Sequence, residues 1–198
     1  EFSSQDMKLA SVTTENYAAD PKAAKGSERF RGQGVKAVFT RGDLRVEWRA
    51  VLRAGSHYLR TEMSISSGKD VRMDHIVPMI YAVDVRKAKS APRVVGNTRG
   101  AALLSSKLFA GLETPMGVNT TNLDSADIAH SNSRDMVKME GNWVRHTTLK
   151  AGKTWTVSSV VGLVAKGQQR RSFLAYSERE RAAAWHPMTI YNSWYELN

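Results

Sequence analysis

The sequence contains no cysteine, only five prolines and no long apolar run. Each absence narrows the field. Without cysteine there is no disulfide framework, no thiolate metal ligand and no thiol nucleophile. The longest apolar stretches are a few residues, far short of the roughly 20 that a helix needs to cross a bilayer. Acidic residues are scarce: 19 Asp and Glu stand against 29 Lys and Arg, a formal net charge of +10. What remains is 198 residues, 41% of them hydrophobic, which suits a folded globule of about one domain. A chain of this length buries roughly 70% of its unfolded surface and needs no covalent staple. The excess charge speaks to association, not to fold. It leaves open a nucleic-acid partner, an acidic surface or polymer, or plain solubility.

Period-two alternation dominates the pattern. Leu44, Val46, Trp48, Ala50 and Leu52 alternate with Arg45, Glu47 and Arg49, and Leu59, Thr61, Met63 and Ile65 with Tyr58, Arg60 and Glu62. The turn Ala54-Gly55-Ser56 joins them into an expected hairpin. Val71 to Val85 is a longer apolar segment broken at Pro78. Ala101 to Pro115 is apolar and ambiguous between helix and strand, and Gly117 to Ser133 reads as a long polar loop. Trp143 to Leu149, Thr154 to Ala165 and Arg171 to Tyr176 read as strands. Turn signals about every ten residues point to an all-β sandwich or barrel. One helix is expected: Ser177 and Glu180 fit a capping box, and Pro187 ends the run to Trp185. Met188 to Tyr195 reads as a final strand. Residues 1–30 form a polar N-terminal segment with an expected edge strand, 31–176 the sandwich, and 177–198 a linker helix and orphan strand. The chain opens on Glu1-Phe2 without an initiator Met, so that end reads as a processed or trimmed product, and it stops just after a strand-like run, so the other end reads as cut.

No catalytic signature emerges. Gly32-Gln33-Gly34 mimics a dinucleotide fingerprint but runs into Val35 to Phe39, a strand pattern, where the motif needs a helix. His57, His75, His130, His146 and His186 show no metal-ligand spacing. Asn119-Thr120-Thr121 is a glycosylation sequon, which suggests a surface loop. Glu178 and Glu180 are flanked by Arg179 and Arg181. Neighbouring cations favour the charged carboxylate, the wrong state for a general acid, so surface pairing and capping are their expected roles. Neither a metal nor a cofactor is implied.

The aromatics carry more. Trp48 and Trp155 are in phase with apolar neighbours and are expected in the core. Trp143 follows Glu140-Gly141-Asn142 and is a candidate platform. Trp185, Tyr191, Trp194 and Tyr195 crowd the last fourteen residues beside Asn192. A Trp face with a nearby amide suits the C–H face and hydroxyls of a sugar; the alternative is packing against a neighbour. Arg45, Arg49 and Arg60 fall on outward strand positions near Glu, so the charge is spread rather than gathered into a nucleic-acid groove.

Residues 158–195 then resemble a known family. Ser158-Ser159-Val160-Val161-Gly162, Gly167 to Tyr176, Glu178-Arg179-Glu180-Arg181-Ala182, His186-Pro187-Met188 and Tyr191-Asn192-Ser193-Trp194-Tyr195 are similar to a junction in large bacterial glycoside-hydrolase-like proteins related to the α-galactosidase (melibiase) group. Phe109 to Met116 and Trp48 to Leu59 resemble two further signatures, so the likeness covers most of residues 40–198. It implies an N-terminal β-supersandwich of the galactose-mutarotase type, ahead of a (β/α)8 barrel whose first strand would be Met188 to Tyr195. The catalytic aspartates of that group come from later barrel strands, so no activity is implied here. Asn192 and Trp194 would lie near the sugar pocket, and the Phe109 to Gly117 loop would reach toward it with Glu113, unless Glu113 pairs with an Arg instead. An extracellular or periplasmic setting follows from the resemblance alone.

The expected function is therefore a non-catalytic sandwich domain that supports a barrel and contributes to carbohydrate recognition through Trp143, Trp185, Tyr191, Asn192, Trp194 and Glu113. Its expected partners are an oligo- or polysaccharide and the downstream barrel. A strand-mediated homodimer is a further expectation. The alternatives are a free-standing carbohydrate-binding module, and a basic interaction module for acidic polysaccharide or nucleic acid.

Overall fold

Alternating sequence becomes alternating faces. The computed structural model describes residues 3–84, 91–122 and 136–183. Among these are eleven strands: β1 (Lys8–Tyr17), β2 (Gly32–Arg41), β3 (Leu44–Arg53), β4 (Tyr58–Ser67), β5 (Val71–Asp84), β6 (Arg93–Val95), β7 (Ala102–Leu104), β8 (Leu108–Leu112), β9 (Gly117–Thr121), β10 (Met136–Leu149) and β11 (Thr154–Leu163). One α-helix, α1 (Gln169–Glu180), follows. The fold is an all-β sandwich with a short C-terminal helix. An eight-stranded antiparallel sheet, in the order β1-β2-β3-β4-β11-β8-β7-β6, faces a three-stranded one, β5-β10-β9.

The expected hairpin forms β3 and β4, with Trp48 opposite Met63 and Arg49 opposite Glu62. β11 then inserts beside β4, pairing Val160 with Arg60. On the inner face of the large sheet, Leu44, Val46, Ile65, Ala110, Leu112 and Val157 meet Met73, Ile76, Met79, Met139 and Trp143 of the small sheet. The outer face holds a second cluster, Tyr58, Phe109, Val160 and Tyr176, with Phe173 and Leu104 packed against it. Here α1 lies on the sheet. Gly162 makes room, since a Cβ there would stand 2.1 Å from the Phe109 ring.

The structure corrects several readings of the chain. Arg171 to Tyr176 is helical rather than extended, and the helix starts at Gln169. A four-residue apolar run fits either period, and docking on Phe109 settles it. Ser177 is not a cap: its hydroxyl donates to the Phe173 carbonyl inside the last turn, and Glu180 reaches Tyr58 instead. The segment after Gly117 begins as strand β9, not loop. Asn119 of the sequon is buried, accepting from the Leu112 N–H and donating to the Ala101 carbonyl, so it is no glycan acceptor in this fold. β5 runs through Pro78 unbroken; the proline sits where the register with β10 shifts, and β5 is an edge strand, where a missing N–H is tolerated. Trp155 packs against the core, as expected. Trp48 is only half-buried, because toward β1 the inner face opens to solvent and leaves Leu9, Val12, Val35 and Leu52 exposed. No described helix is long and apolar enough to cross a membrane.

Candidate functional site

Glu113 follows β8 on the outer face. Its side chain is 13% exposed. One carboxylate oxygen accepts from Arg60 Nε at 2.7 Å, and the other from the Tyr176 hydroxyl at 2.6 Å. The ion-pair alternative weighed for Glu113 is thus the geometry it adopts. Glu180, one turn beyond Tyr176 on α1, accepts from the Tyr58 hydroxyl at 2.7 Å and lies 3.8 Å from the same Arg60 Nε. Arg60 therefore stands between two carboxylates, each of which also takes a phenol. The five side chains tie β4, the segment after β8 and α1 into one unit.

Electrostatics follow from this burial. Removal from water alone would lower the Arg60 guanidinium, but the Glu113 charge and hydrogen bond outweigh it, and the group is held above its ordinary range. Tyr58 and Tyr176 are raised, first by burial and then by the carboxylates they serve, Glu180 and Glu113. Both phenols stay protonated, as donors must.

The network continues outward across the sheet. Arg60 is 3.8 Å from Glu62; Arg49 bridges Glu62, Glu47 and Glu15; Lys36 joins Glu15 at 3.3 Å. Tyr17 donates to Glu15 and is pushed up to about 12, first by burial and then by that bond. Between these groups and the start of the chain lies a cleft of about 220 Å³, bounded by Tyr17, Arg49, Arg53, Tyr58, Arg60 and Glu180. It is smaller than the roughly 300–1,000 Å³ of most small-molecule pockets. Arg49, Arg53 and Arg60 along it are matched by Glu28, Glu62 and Glu180.

The helix is pinned elsewhere too. His57 Nε2 lies 2.9 Å from the Ser172 carbonyl, Gln169 donates to the Ser105 carbonyl at 3.0 Å, and Arg179 donates to the carbonyls of Ala54 and Gly55. Contacts thus run from the first residue of α1 to the last.

Trp143 is 8% exposed and sits in the core. Its ring meets Trp155 edge to face at 6.2 Å, and the Arg145 guanidinium lies over both rings at about 4.5 Å. β10 bulges between Val144 and Thr147, with His146 at φ 46°, and the bulge aims Arg145 over the pair. A sugar platform needs an open ring face, and Trp143 lends its faces to protein. The structure brings Trp143 and Glu113 to opposite faces of the large sheet. Trp185, Tyr191, Asn192 and Trp194 lie outside the described residues. Sequence reasoning missed Arg60 and Tyr176 as partners of Glu113, and Tyr58 as the partner of Glu180. Among the described residues no group of three acidic or histidine side chains is placed to hold a metal.

Fold and site define a β-sandwich domain that clamps its own C-terminal helix. No family model matches the sequence, and no curated protein matches it significantly. Among solved structures, the chain is similar to the GH36 α-galactosidase AgaA A355E from Geobacillus stearothermophilus in complex with 1-deoxygalactonojirimycin, at 9% identity and a TM-score of 0.45 over 84% of this chain and 29% of that one. It is also similar to GH36 α-galactosidase AgaB from the same organism, at 11% identity and a TM-score of 0.39 over 84% and 28%. The chain thus spans less than a third of the length of those enzymes.

Proposed function

We propose that this chain is the non-catalytic β-sandwich domain of a glycoside hydrolase, which supports a catalytic barrel and contributes to carbohydrate recognition. One observation carries the reading: the last described element, α1, is held along its whole length by side chains of the sandwich. A helix at the exit of a domain, fixed by a buried Arg–Glu–Tyr network, fixes the direction in which the chain leaves. That is what a domain needs if it is to position another. The carboxylates Glu113 and Glu180 are engaged in this clamp, each with Arg60 and a tyrosine, which supports a structural role for them. Sugar contact in this reading falls to Trp185, Tyr191, Asn192 and Trp194, while Trp143 and Glu113 support the fold from opposite faces of the large sheet. An extracellular or periplasmic setting belongs to the same reading.

The test is an assay of the chain on aryl-glycosides together with a titration by neutral oligosaccharides. The expected result is no hydrolysis, and quenching of Trp fluorescence that varies little with salt. Turnover abolished by Glu113→Gln or Glu180→Gln would contradict the non-catalytic assignment. A steep loss of binding with salt points to a polyanion partner instead.

A further inference from the structure

A second concavity lies on the outer face, at the end of α1 opposite the clamp. It is a groove of about 680 Å³ between β6, β7 and the first turn of α1, inside the size range of small-molecule sites. Its floor and walls are apolar: Ala91, Val95, Ala102, Leu104 and Phe173. Its polar groups are few, and those that carry charge are of one sign. Arg93 and Arg170 line it, with Gln169, Ser105 and Ser106, and among the described residues no carboxylate does. Both arginines are exposed, and neither has a hydrogen-bond or ion-pair partner among the described residues. The contrast with the clamp is direct. There, Arg49 and Arg60 each meet two or more carboxylates; here two guanidinium groups face one cavity with no carboxylate among the described residues to pair them.

The position of these residues is fixed by ordered structure. Arg93 pairs with Leu104 across β6 and β7, so both point to the same face. Gln169 is tied to the Ser105 carbonyl, which joins the helix start to the end of β7. Phe173 packs edge to face on Phe109 at 5.5 Å, which holds its ring at the groove wall.

We propose that this groove binds an acidic sugar unit, a uronate, with its carboxylate taken by Arg93 and Arg170 and its apolar face laid on Phe173 and Leu104. Guanidinium forks match carboxylates in geometry as well as charge. An aromatic–aliphatic wall suits the C–H face of a pyranose, and Ser106 and Gln169 supply partners for hydroxyls at the rim. The balanced charges of the clamp cleft offer an anion no such surplus. The proposal rests on the carbohydrate half of the function proposed above and adds to it a second site, for an acidic unit.

The experiment is calorimetric titration of the whole chain with trimers of galacturonate and glucuronate and with the neutral galactose trimer, repeated with short single-stranded DNA. The expected result is preferential binding of a uronate trimer, weakened about tenfold by Arg93→Gln or Arg170→Gln and unchanged by Lys69→Gln, which removes a distant surface charge. Thermal melts of the variants check that the fold is kept. Neutral and acidic trimers binding equally would overturn the uronate assignment and leave the carbohydrate reading standing. Binding of neither trimer would overturn both. Tighter binding of DNA, with the same dependence on Arg93 and Arg170, would overturn the sugar assignment in favour of a phosphate backbone.

Discussion

Glu113 shows how a single carboxylate decides what a surface does. It accepts from Arg60 and Tyr176 while mostly out of water, so removing any member leaves a buried group unsatisfied. Tyr176→Phe deletes a hydrogen bond to a charged acceptor and is expected to cost about 1.5–3 kcal/mol in urea unfolding. Arg60→Leu leaves both Glu113 and Glu180 without their cation. It is expected to cost about 2–3 kcal/mol, below the roughly 3–5 of a fully buried pair, because Arg60 keeps 26% of its side chain in solvent. The two tyrosines give a pH signature. Their phenols are raised in the folded protein, so the neutral form binds its proton more tightly folded than unfolded. The stability this contributes is whole below about pH 10, the ordinary tyrosine value, and is lost as pH rises toward the folded value. Phenolate absorbance from Tyr58 and Tyr176 is therefore expected only with alkaline unfolding. Their ionisation near pH 10 in a protein that keeps its circular dichroism would contradict the clamp.

At the scale of elements, the outer face of β11 has to be flat for α1 to lie on it. Gly162→Ala puts a methyl group into the Phe109 ring, which has 0% exposure and no room to move. The expected loss is at least about 1–3 kcal/mol, read as a lower urea midpoint with Phe173 and Tyr176 loosened first. The strands that depend on such packing were readable in different degrees. β3, β4 and β11 were legible because alternation and glycine turns are local signals. α1 was not: Phe173 to Tyr176 is apolar in a row, and only the spacing of Ser172, Tyr176 and Glu180 betrays a helical face. The candidate site divides the same way. Glu113 was legible as a polar residue in an apolar loop, whereas Arg60 and Tyr176 lie 53 and 63 residues away in sequence. Those pairings exist only once β4, β8 and β11 share a sheet. Trp143 followed a glycine and an asparagine and read as exposed or buried with equal ease; the opposing sheet buries it.

At the scale of the whole molecule, two groups of cations stand out among the described residues of a chain whose charge is +10. Across β1 to β4 the cations are interleaved with Glu15, Glu47, Glu62, Glu113 and Glu180, and serve the fold. At the groove beside β6, Arg93 and Arg170 have no ion-pair partner among the described residues and serve, in the proposal above, a ligand. Salt should accordingly weaken the clamp little, since its pairs are partly buried, while screening Arg93 and Arg170 freely. The central claim is that the sandwich and α1 form one cooperative body, as the proposed supporting role requires. Native-state hydrogen exchange tests this most directly. The amides of Phe173 to Glu180 are expected to exchange with the same free energy as those of β4 and β11, through global unfolding, and to lose that protection in Arg60→Leu. Exchange of the α1 amides at a much lower free energy, while the sheet stays protected, would contradict the account.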